Sequence, residues 1–450
     1  MSVQNEIPGS TSPSHERGKA IARHVFHEVI AAIDLHKTML QRLTFSSETL
    51  LAGDTVVPLT RPPHVIALGK AAVRMAATMD EILGGRIASG IVVAPAIPAS
   101  RLKNFHYFEG GHPYPNPDSI AAANAALELV FTVGRDALLI FLISGGGSAL
   151  FEKPMDPDVS LKDLVEFNRV LVNCGLPIEQ INILRKHVSA VKGGRLAEAA
   201  HPAGQLTLYV SDVPDDRPSM VASGPTMPDD STVEECYRLA EENIRVPRLP
   251  QSIGKRFKEH TLRETPKPGD ACFQNSEYVC LISNREAVDA AKTALEREGF
   301  ICEVDSGEWD RDYREVADRN VEALDALAAE HPGRPVALVV GGEVTCEVTG
   351  LGMGGRNQAF ALYAAQKIEN QNRVVLSAGT DGRDGNSPAS GAVADGQTIT
   401  RARARGLDAE WYMAESDAYH FFCTLGDTLD TGYTDNNVRD VRLWLDFGDL

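Results

Sequence analysis

The chain has 450 residues, 43% of them hydrophobic and 6% aromatic, and 62 acidic against 44 basic side chains give a formal net charge of −18. That length exceeds one ordinary domain and predicts two. The acidic balance argues against nucleic acid and anionic membrane surfaces as partners, yet a few local cations can still serve a phosphorylated ligand.

Residues 1–17 are polar, carry Pro, Ser and Gly, and read as a disordered tail without the apolar core of a signal sequence. Ile21, Val25, Val29, Ile30 and Ile33 lie at helical spacing and predict an amphipathic helix running past Leu35. Val65–Leu68 is a short strand ended by Gly69-Lys70 and followed by a helix over Ala71–Leu83. Ile91–Val93 is a strand and Gly110-Gly111-His112-Pro113 a turn, after which Asp118 or Ser119 caps a helix to about Val133. Ala137–Ile143 is an unbroken apolar run, the pattern of a strand buried on both faces. It meets Ser144-Gly145-Gly146-Gly147-Ser148, where glycine backbone can approach a ligand and a helix start would aim N–H groups at an anion.

Helices are predicted over about Lys162–Cys174 and Ile178–Ala200. The second carries Arg185, Lys186, Lys192 and Arg195, which form either a solvated basic face or an anion site. Leu206–Val210 is a strand entering Ser211–Asp216, and Pro, Lys and Arg mark a linker, set at 249–270. Strands at Tyr278–Ile282, Phe300–Val304, Val336–Val340 and Val374–Ala378 then alternate with helices at Arg285–Arg297, Tyr313–Glu330 and from Gly354 to about Ile368.

This alternation predicts the α/β class, with two α/β domains and largely parallel sheets. The N-terminal domain, 18–248, is read as Rossmann-like, and the C-terminal one covers 271–450. In parallel sheets ligands bind beyond the carboxyl ends of the strands. Five loops follow strands here: Gly69-Lys70, Ser144–Ser148, Ser211–Asp216, Gly341–Thr345 and Gly379–Gly385. They are expected to line an interdomain cleft.

Lys70, Asp212, Asp216, Glu343, Asp381 and Asp384 on these loops combine cations, carboxylates and glycine-rich backbone. The mixture suits phosphoryl transfer, in which N–H groups hold phosphate oxygens, a carboxylate holds Mg²⁺ and a cation neutralises developing charge. Singly, each residue has an ordinary reading: Lys70 a solvated helix-start lysine outside any P-loop, Asp212 a turn cap, Asp381 and Asp384 parts of Asp-Gly turns. His112 and His187 lack partners at metal spacing and read as structural. Gly352-Met353-Gly354-Gly355 is a poor match to a dinucleotide fingerprint, which weakens a dehydrogenase. Seven scattered cysteines form no Cys-x-x-Cys pair, so neither a disulfide framework nor a zinc site is indicated. No run of 18 apolar residues occurs, so no membrane span is predicted and a cytoplasmic location is expected.

The loops in this order resemble the glycerate 2-kinase family, whose C-terminal domain is called MOFRL. The matching stretches in the first half are Gly110–Pro113, Ile143–Leu150, Asn182–Leu196, Ser211–Pro214 and Ala222–Thr226. Those in the second half are Gly341–Glu343, Gly354–Gln358, Thr380–Gly382 and Asp417–Phe422. The resemblance implies ATP- and Mg²⁺-dependent phosphorylation of D-glycerate at its 2-hydroxyl, giving 2-phosphoglycerate, with the active site between a Rossmann-like and a MOFRL-type domain. In the family, a lysine and an arginine matching Lys70 and Arg356 are the proposed catalytic pair. Asp212 is expected to hold Mg²⁺ or accept the hydroxyl proton, with Asp381 a second metal candidate. Ser144–Ser148 and Gly341, Gly342 and Glu343 are assigned to the nucleotide, and Arg185, Lys186, Lys192 and Asn357 to the substrate. The assembly considered is a homodimer. Two departures touch acidic contacts: Arg217 stands where the family has an acid, and Pro388 where it has aspartate. A hydroxypyruvate reductase using NAD(P)H and a non-catalytic sugar-acid sensor are the alternatives.

Overall fold

The structure is a computed structural model that describes residues 13–215, 217–244, 248–305, 309–434 and 436–448. The chain divides into two units, one of residues 35–282 and one that joins 1–34 to 283–450.

The unit 35–282 is built on six strands, β1 (His64–Leu68), β2 (Ser89–Ala94), β3 (Phe105–Glu109), β4 (Leu138–Ile143), β5 (Gly204–Val210) and β6 (Ser276–Ile282). Every neighbouring pair is parallel, in the order β3-β2-β1-β4-β5-β6. This is the doubly wound order, with its reversal between β1 and β4. The predicted continuous apolar runs are the central strands: Val65 to Leu68 and Leu139 to Ile143 are buried. A sheet covered by helices on both faces demands that pattern, because neither face of a central strand meets water.

Four expectations change here. The helix preceding β4, Pro117–Thr132, is capped by Asn116 in a reciprocal capping box with Ser119, two residues before Asp118 and three before Ser119, the expected caps. The predicted helix over 178–200 is two, Ile178–Val188 and Arg195–Ala200. Ser189, extended at the C-cap, ends the first, and Gly193 and Gly194, with left-handed torsions of φ +55° and +80°, lead into the second. The stretch read as a linker contains the helix Gln251–Lys258, whose Ile253 and Phe257 sit in a core with Leu164, Phe167, Leu184 and Tyr237. Its density of Lys and Arg masks an i, i+4 apolar pair. The strand Tyr278–Ile282, expected to begin the second domain, is instead the sixth strand of this sheet.

The other unit carries β7 (Ile301–Asp305), β8 (Val336–Val340), β9 (Arg373–Gly379), β10 (Gly391–Asp395), β11 (Thr428–Leu429) and β12 (Asp440–Asp446). Their order is β7-β8-β12-β9-β10-β11. Only β7 with β8 is parallel; the four remaining pairs are antiparallel. The α/β class holds, but the expectation of a largely parallel sheet fails in this unit, because the last strand returns to lie between β8 and β9.

The helix Pro13–Ala32 belongs to this unit rather than to the Rossmann-like one, and Pro13 to Arg17, read as disordered, are its first turns. Residues 1–12 of the predicted tail lie outside the described residues. Its stripe Ala22, Val25, Phe26, Val29 and Ile33 is buried. A buried ion cluster fixes it further. Lys19 donates to Asp427 at 2.8 Å and lies 3.4 Å from Asp395, while Arg401 donates to the other Asp427 oxygen at 2.5 Å. Among the described residues no helix is long and apolar enough to cross a membrane.

Removing one partner of a buried charge cluster leaves the others uncompensated, at a cost of about 3–5 kcal/mol. Lys19→Met is therefore expected to destabilise the unit holding β7–β12 by that amount. Urea unfolding followed through the buried Trp444 of β12 checks it; a loss under about 1 kcal/mol contradicts the cluster's role.

Candidate functional site

Parallel pairing sets the carboxyl ends of β1 and β4 side by side, and the two loops that follow are laced together. The Ser144 N–H donates to the Leu68 carbonyl at 3.0 Å and the Lys70 N–H to the Gly145 carbonyl at 2.9 Å. The Ala71 N–H donates to Ser144 Oγ at 3.0 Å. Among the described residues no backbone acceptor meets the N–H groups of Gly145, Gly146 and Gly147. Successive unused N–H groups in a left-handed turn, here with Gly146 at φ +82°, make an anion-binding concavity.

Side chains crowd this backbone. A Cβ on Gly145 would stand 2.1 Å from Asp212 Oδ2, beyond β5. One on Gly146 would stand 3.1 Å from Lys70 Cγ, 3.3 Å from Lys70 Cε and 3.6 Å from His112 Cδ2. Lys70, Asp212 and His112 thus converge on consecutive glycines. Lys70 is exposed, and among the described residues no carboxylate pairs with its ammonium. His112 is exposed at the surface, yet partial desolvation by its neighbours first, and the Lys70 charge second, push its imidazole below its ordinary range. On the other flank Ser148 Oγ and Ser223 Oγ are 2.8 Å apart, and Ser223 donates to Asn182 Oδ1 at 3.2 Å. Ala222 and Ser223 have φ of +52° and +62°, a backbone strain of the kind concentrated at functional sites.

The basic set after Asn182 is mostly structural. Lys186 donates to Asp229 at 2.9 Å, and Lys192 to Glu152 at 2.5 Å; all four are buried. Neither lysine is a substrate contact, which corrects both assignments. Turning at Gly193-Gly194 carries Lys192 inward, where only a paired charge is tolerated. Arg195 is buried and donates to the Arg263 carbonyl at 2.8 Å. Arg185, half-buried, donates through Nε to Asn168 at 2.9 Å. His187 is structural, with Ile183 and Glu264 at its two ring nitrogens. Arg217 is paired with Glu179, so its charge is locally compensated. Asp216 lies outside the described residues.

In the other unit Arg356 opens the helix Arg356–Lys367. Its Nε and Nη2 donate to the two oxygens of Asp440 at 2.6 and 2.9 Å, and Nη1 lies 2.8 Å from Glu343. Arg442 and Asn357 also donate to Asp440, at 3.1 and 3.0 Å, and Arg439 pairs with Glu343 at 2.6 Å. Burial alone would raise the Asp440 carboxyl, but the Arg356 guanidinium overrides it and holds the group below the usual carboxylate range. For Glu343 the balance is opposite, and burial outweighs Arg439 and Arg356 to raise it. Asp384 accepts the N–H groups of Asn357 and Gln358 at 3.1 and 2.8 Å, and burial pushes its carboxyl up to about 6. A cavity of about 500 Å³ opens beside Arg356, walled by Tyr313, Val344, Cys346, Ala359 and Tyr412.

Further assignments change here. Gly341 and Gly342 have their N–H groups bound to the Asp305 carbonyl at 2.8 Å and Asn284 Oδ1 at 2.9 Å, so they cannot cradle a phosphate. Glu343 faces two arginines and acts on them rather than on a nucleotide. Asn357 is fully buried; it braces Asp440 and accepts from Ser377 Oγ at 2.7 Å, so it is no substrate contact. Asp381 accepts the Arg383 N–H at 3.1 Å, the Asp-Gly turn anticipated as its ordinary reading. Among the described residues no group of three or more His, Cys, Asp or Glu side chains is arranged to hold a metal. Asp440, which fixes Arg356, gave no sequence signal, because nothing near it marks a strand carrying a buried carboxylate.

Residues 21–258 match the model of a domain of unknown function, DUF4147, and residues 336–440 match the MOFRL family. A D-glycerate 2-kinase of Thermotoga maritima is 38% identical over 386 residues, covering 85% of this chain and 90% of that protein. The chain belongs to the glycerate 2-kinase family. It is accordingly an enzyme. The crystal structure of a glycerate kinase from the same organism superposes with a TM-score of 0.81 at 34% identity, covering 96% of this chain and 99% of that one. A provisionally named hydroxypyruvate reductase of Agrobacterium vitis is 36% identical over 389 residues, 84% of this chain and 86% of its own length.

A methyl group on Gly145 must displace the Asp212 carboxylate. A shift of about 1 Å at a catalytic group can cost roughly 10²-fold in rate. Gly145→Ala is expected to lose turnover on that order while its melting temperature stays near that of the wild type. Turnover within threefold of wild type contradicts a role for Asp212.

Proposed function

We propose that the enzyme transfers the γ-phosphoryl group of ATP to the 2-hydroxyl of D-glycerate, giving ADP and 2-phosphoglycerate. One observation carries the reading: among the described residues the exposed Lys70 ammonium pairs with no carboxylate and its side chain lies against Gly146, in a row of three glycine N–H groups that meet no backbone acceptor, in a chain of net charge −18. Such a place favours an anion, and among anions it suits one with several oxygens.

In this reading the N–H groups of Gly145 to Gly147 hold phosphate oxygens and Lys70 takes phosphate or the substrate carboxylate. Asp212 is the group proposed to accept the hydroxyl proton or to hold Mg²⁺. A single carboxylate fits that ion, which keeps most of its ligands as water and phosphate oxygens. When bound, Mg²⁺ neutralises charge on the phosphates. Arg356 stabilises the transferring group. Its grip on Asp440 keeps the guanidinium in place, and Glu343, whose raised pKa marks a weaker hold on charge, is the partner that yields to phosphate. The cavity beside Arg356 has the volume of a small-ligand site. Asp381 is kept only as a weaker metal candidate, and Arg185 as a substrate contact.

Phosphorus NMR of the product formed from ATP and D-glycerate is the deciding measurement, with a 2-phosphoglycerate resonance expected. No ADP above background with any short hydroxy acid overturns the reading. Oxidation of NADH by hydroxypyruvate would instead support the reductase, and calorimetric binding without turnover a sensor. Lys70→Ala and Arg356→Lys are each expected to lower kcat by on the order of 10³, the latter because lysine cannot reproduce the two-pronged contact. Losses below tenfold in both contradict the assigned pair.

A further inference from the structure

We propose that His112 contacts the substrate in the Lys70 site, its imidazole holding the hydroxyl of an α-hydroxy acid while Lys70 holds the carboxylate. The inference rests on the phosphoryl-transfer reading and adds a specificity-determining residue to it.

The loop carrying His112 is fixed at several points. Beyond β3, the Gly110 N–H donates to the Ala94 carbonyl at 3.0 Å and the Gly111 N–H to Ser119 Oγ at 3.0 Å. Asn116 Nδ2 donates to the Glu109 carbonyl at 2.9 Å. The ring is thus presented from tethered backbone. Its Cδ2 and the Lys70 methylenes approach the same left-handed glycine, Gly146, so the two side chains share one patch of the anion concavity.

Among the described residues neither ring nitrogen of His112 has a hydrogen-bond partner. The half-buried His64, by contrast, meets Ser89 Oγ at 2.8 Å, and His187 uses both nitrogens. Desolvation and, second, the Lys70 charge both favour the neutral ring, and a neutral imidazole offers one N–H and one lone pair. That combination matches a hydroxyl, which both donates and accepts, whereas a carboxylate, which only accepts, would use the N–H and leave the lone pair unanswered. An α-hydroxy acid carries a carboxylate and a hydroxyl on adjacent carbons. An ammonium and a neutral donor–acceptor side by side are complementary to that pair.

Kinetics of His112→Gln and His112→Ala test the proposal. Losing a hydrogen bond to a substrate group costs about 1–1.5 kcal/mol, roughly five- to twelvefold. KM for D-glycerate is therefore expected to rise by about tenfold in the alanine variant and less in the glutamine variant. KM for ATP should stay within about twofold, and melting temperature should not move, since the ring is exposed. Competitive inhibition supplies a second readout. Wild type should bind D-lactate better than propionate, which lacks only the hydroxyl, and His112→Ala should lose that preference. An unchanged KM for D-glycerate in both variants, or an unchanged preference for D-lactate, overturns the proposal. If wild type phosphorylates no hydroxy acid, the kinase reading fails by itself. Calorimetry with D-lactate and propionate then still decides the contact made by His112.

Discussion

Parallel pairing of β1 with β4 is the constraint on which the 35–282 unit depends. Their register pairs Leu68 with Ile143, the last residue of each, so their loops leave together and compete for the same space. The competition is resolved by exchanging hydrogen bonds: Lys70 gives its N–H to Gly145, and Ala71 gives its own to Ser144. Both loops spend their inward-facing groups on each other. What remains outward is the ammonium of one loop and the N–H row of the next, and any ligand of this patch must answer to both.

Charge is distributed with the same economy. Lys19, Lys186 and Lys192 are buried and each meets carboxylates, as a low-dielectric interior requires. Arg356 is held by Asp440 and Glu343 and is fixed in orientation before any ligand arrives. Lys70, by contrast, is exposed and among the described residues pairs with no carboxylate. Leaving one cation unpaired in an acidic chain forgoes little stability at the surface, where an ion pair is worth about 0–1 kcal/mol, and it keeps a local positive field for binding.

Much of this could be read from the chain itself, and the failures have physical causes. β1 and β4 are legible because burial on both faces forces uninterrupted apolar runs. Strand β12 is not: it finds its place between β8 and β9 only through partners distant in sequence, and its buried Asp440 and Arg442 break the apolar pattern. Lys186 and Lys192 look like ligand cations because sequence spacing cannot distinguish a carboxylate partner in solution from Asp229 or Glu152. Gly341-Gly342 reads like a phosphate loop, yet the groups that occupy its N–H row, Asp305 and Asn284, come from elements more than 30 residues away. His112 reads as structural for want of metal partners; its place beside Lys70, with no hydrogen-bond partner among the described residues, separates it from His187.

The unit containing the helix Pro13–Ala32 is completed by the other end of the chain. Lys19 and its partner Asp427 are 408 positions apart. During synthesis at about 5–20 residues per second, the helix emerges on the order of 20–80 s before its ion partners exist. The 35–282 unit, made as one uninterrupted stretch, has all its strands long before then. Folding on the ribosome therefore has an imposed sequence: the Rossmann-like unit can close as an insertion while the first helix, with Val25, Phe26 and Val29 uncovered, waits for the last strand.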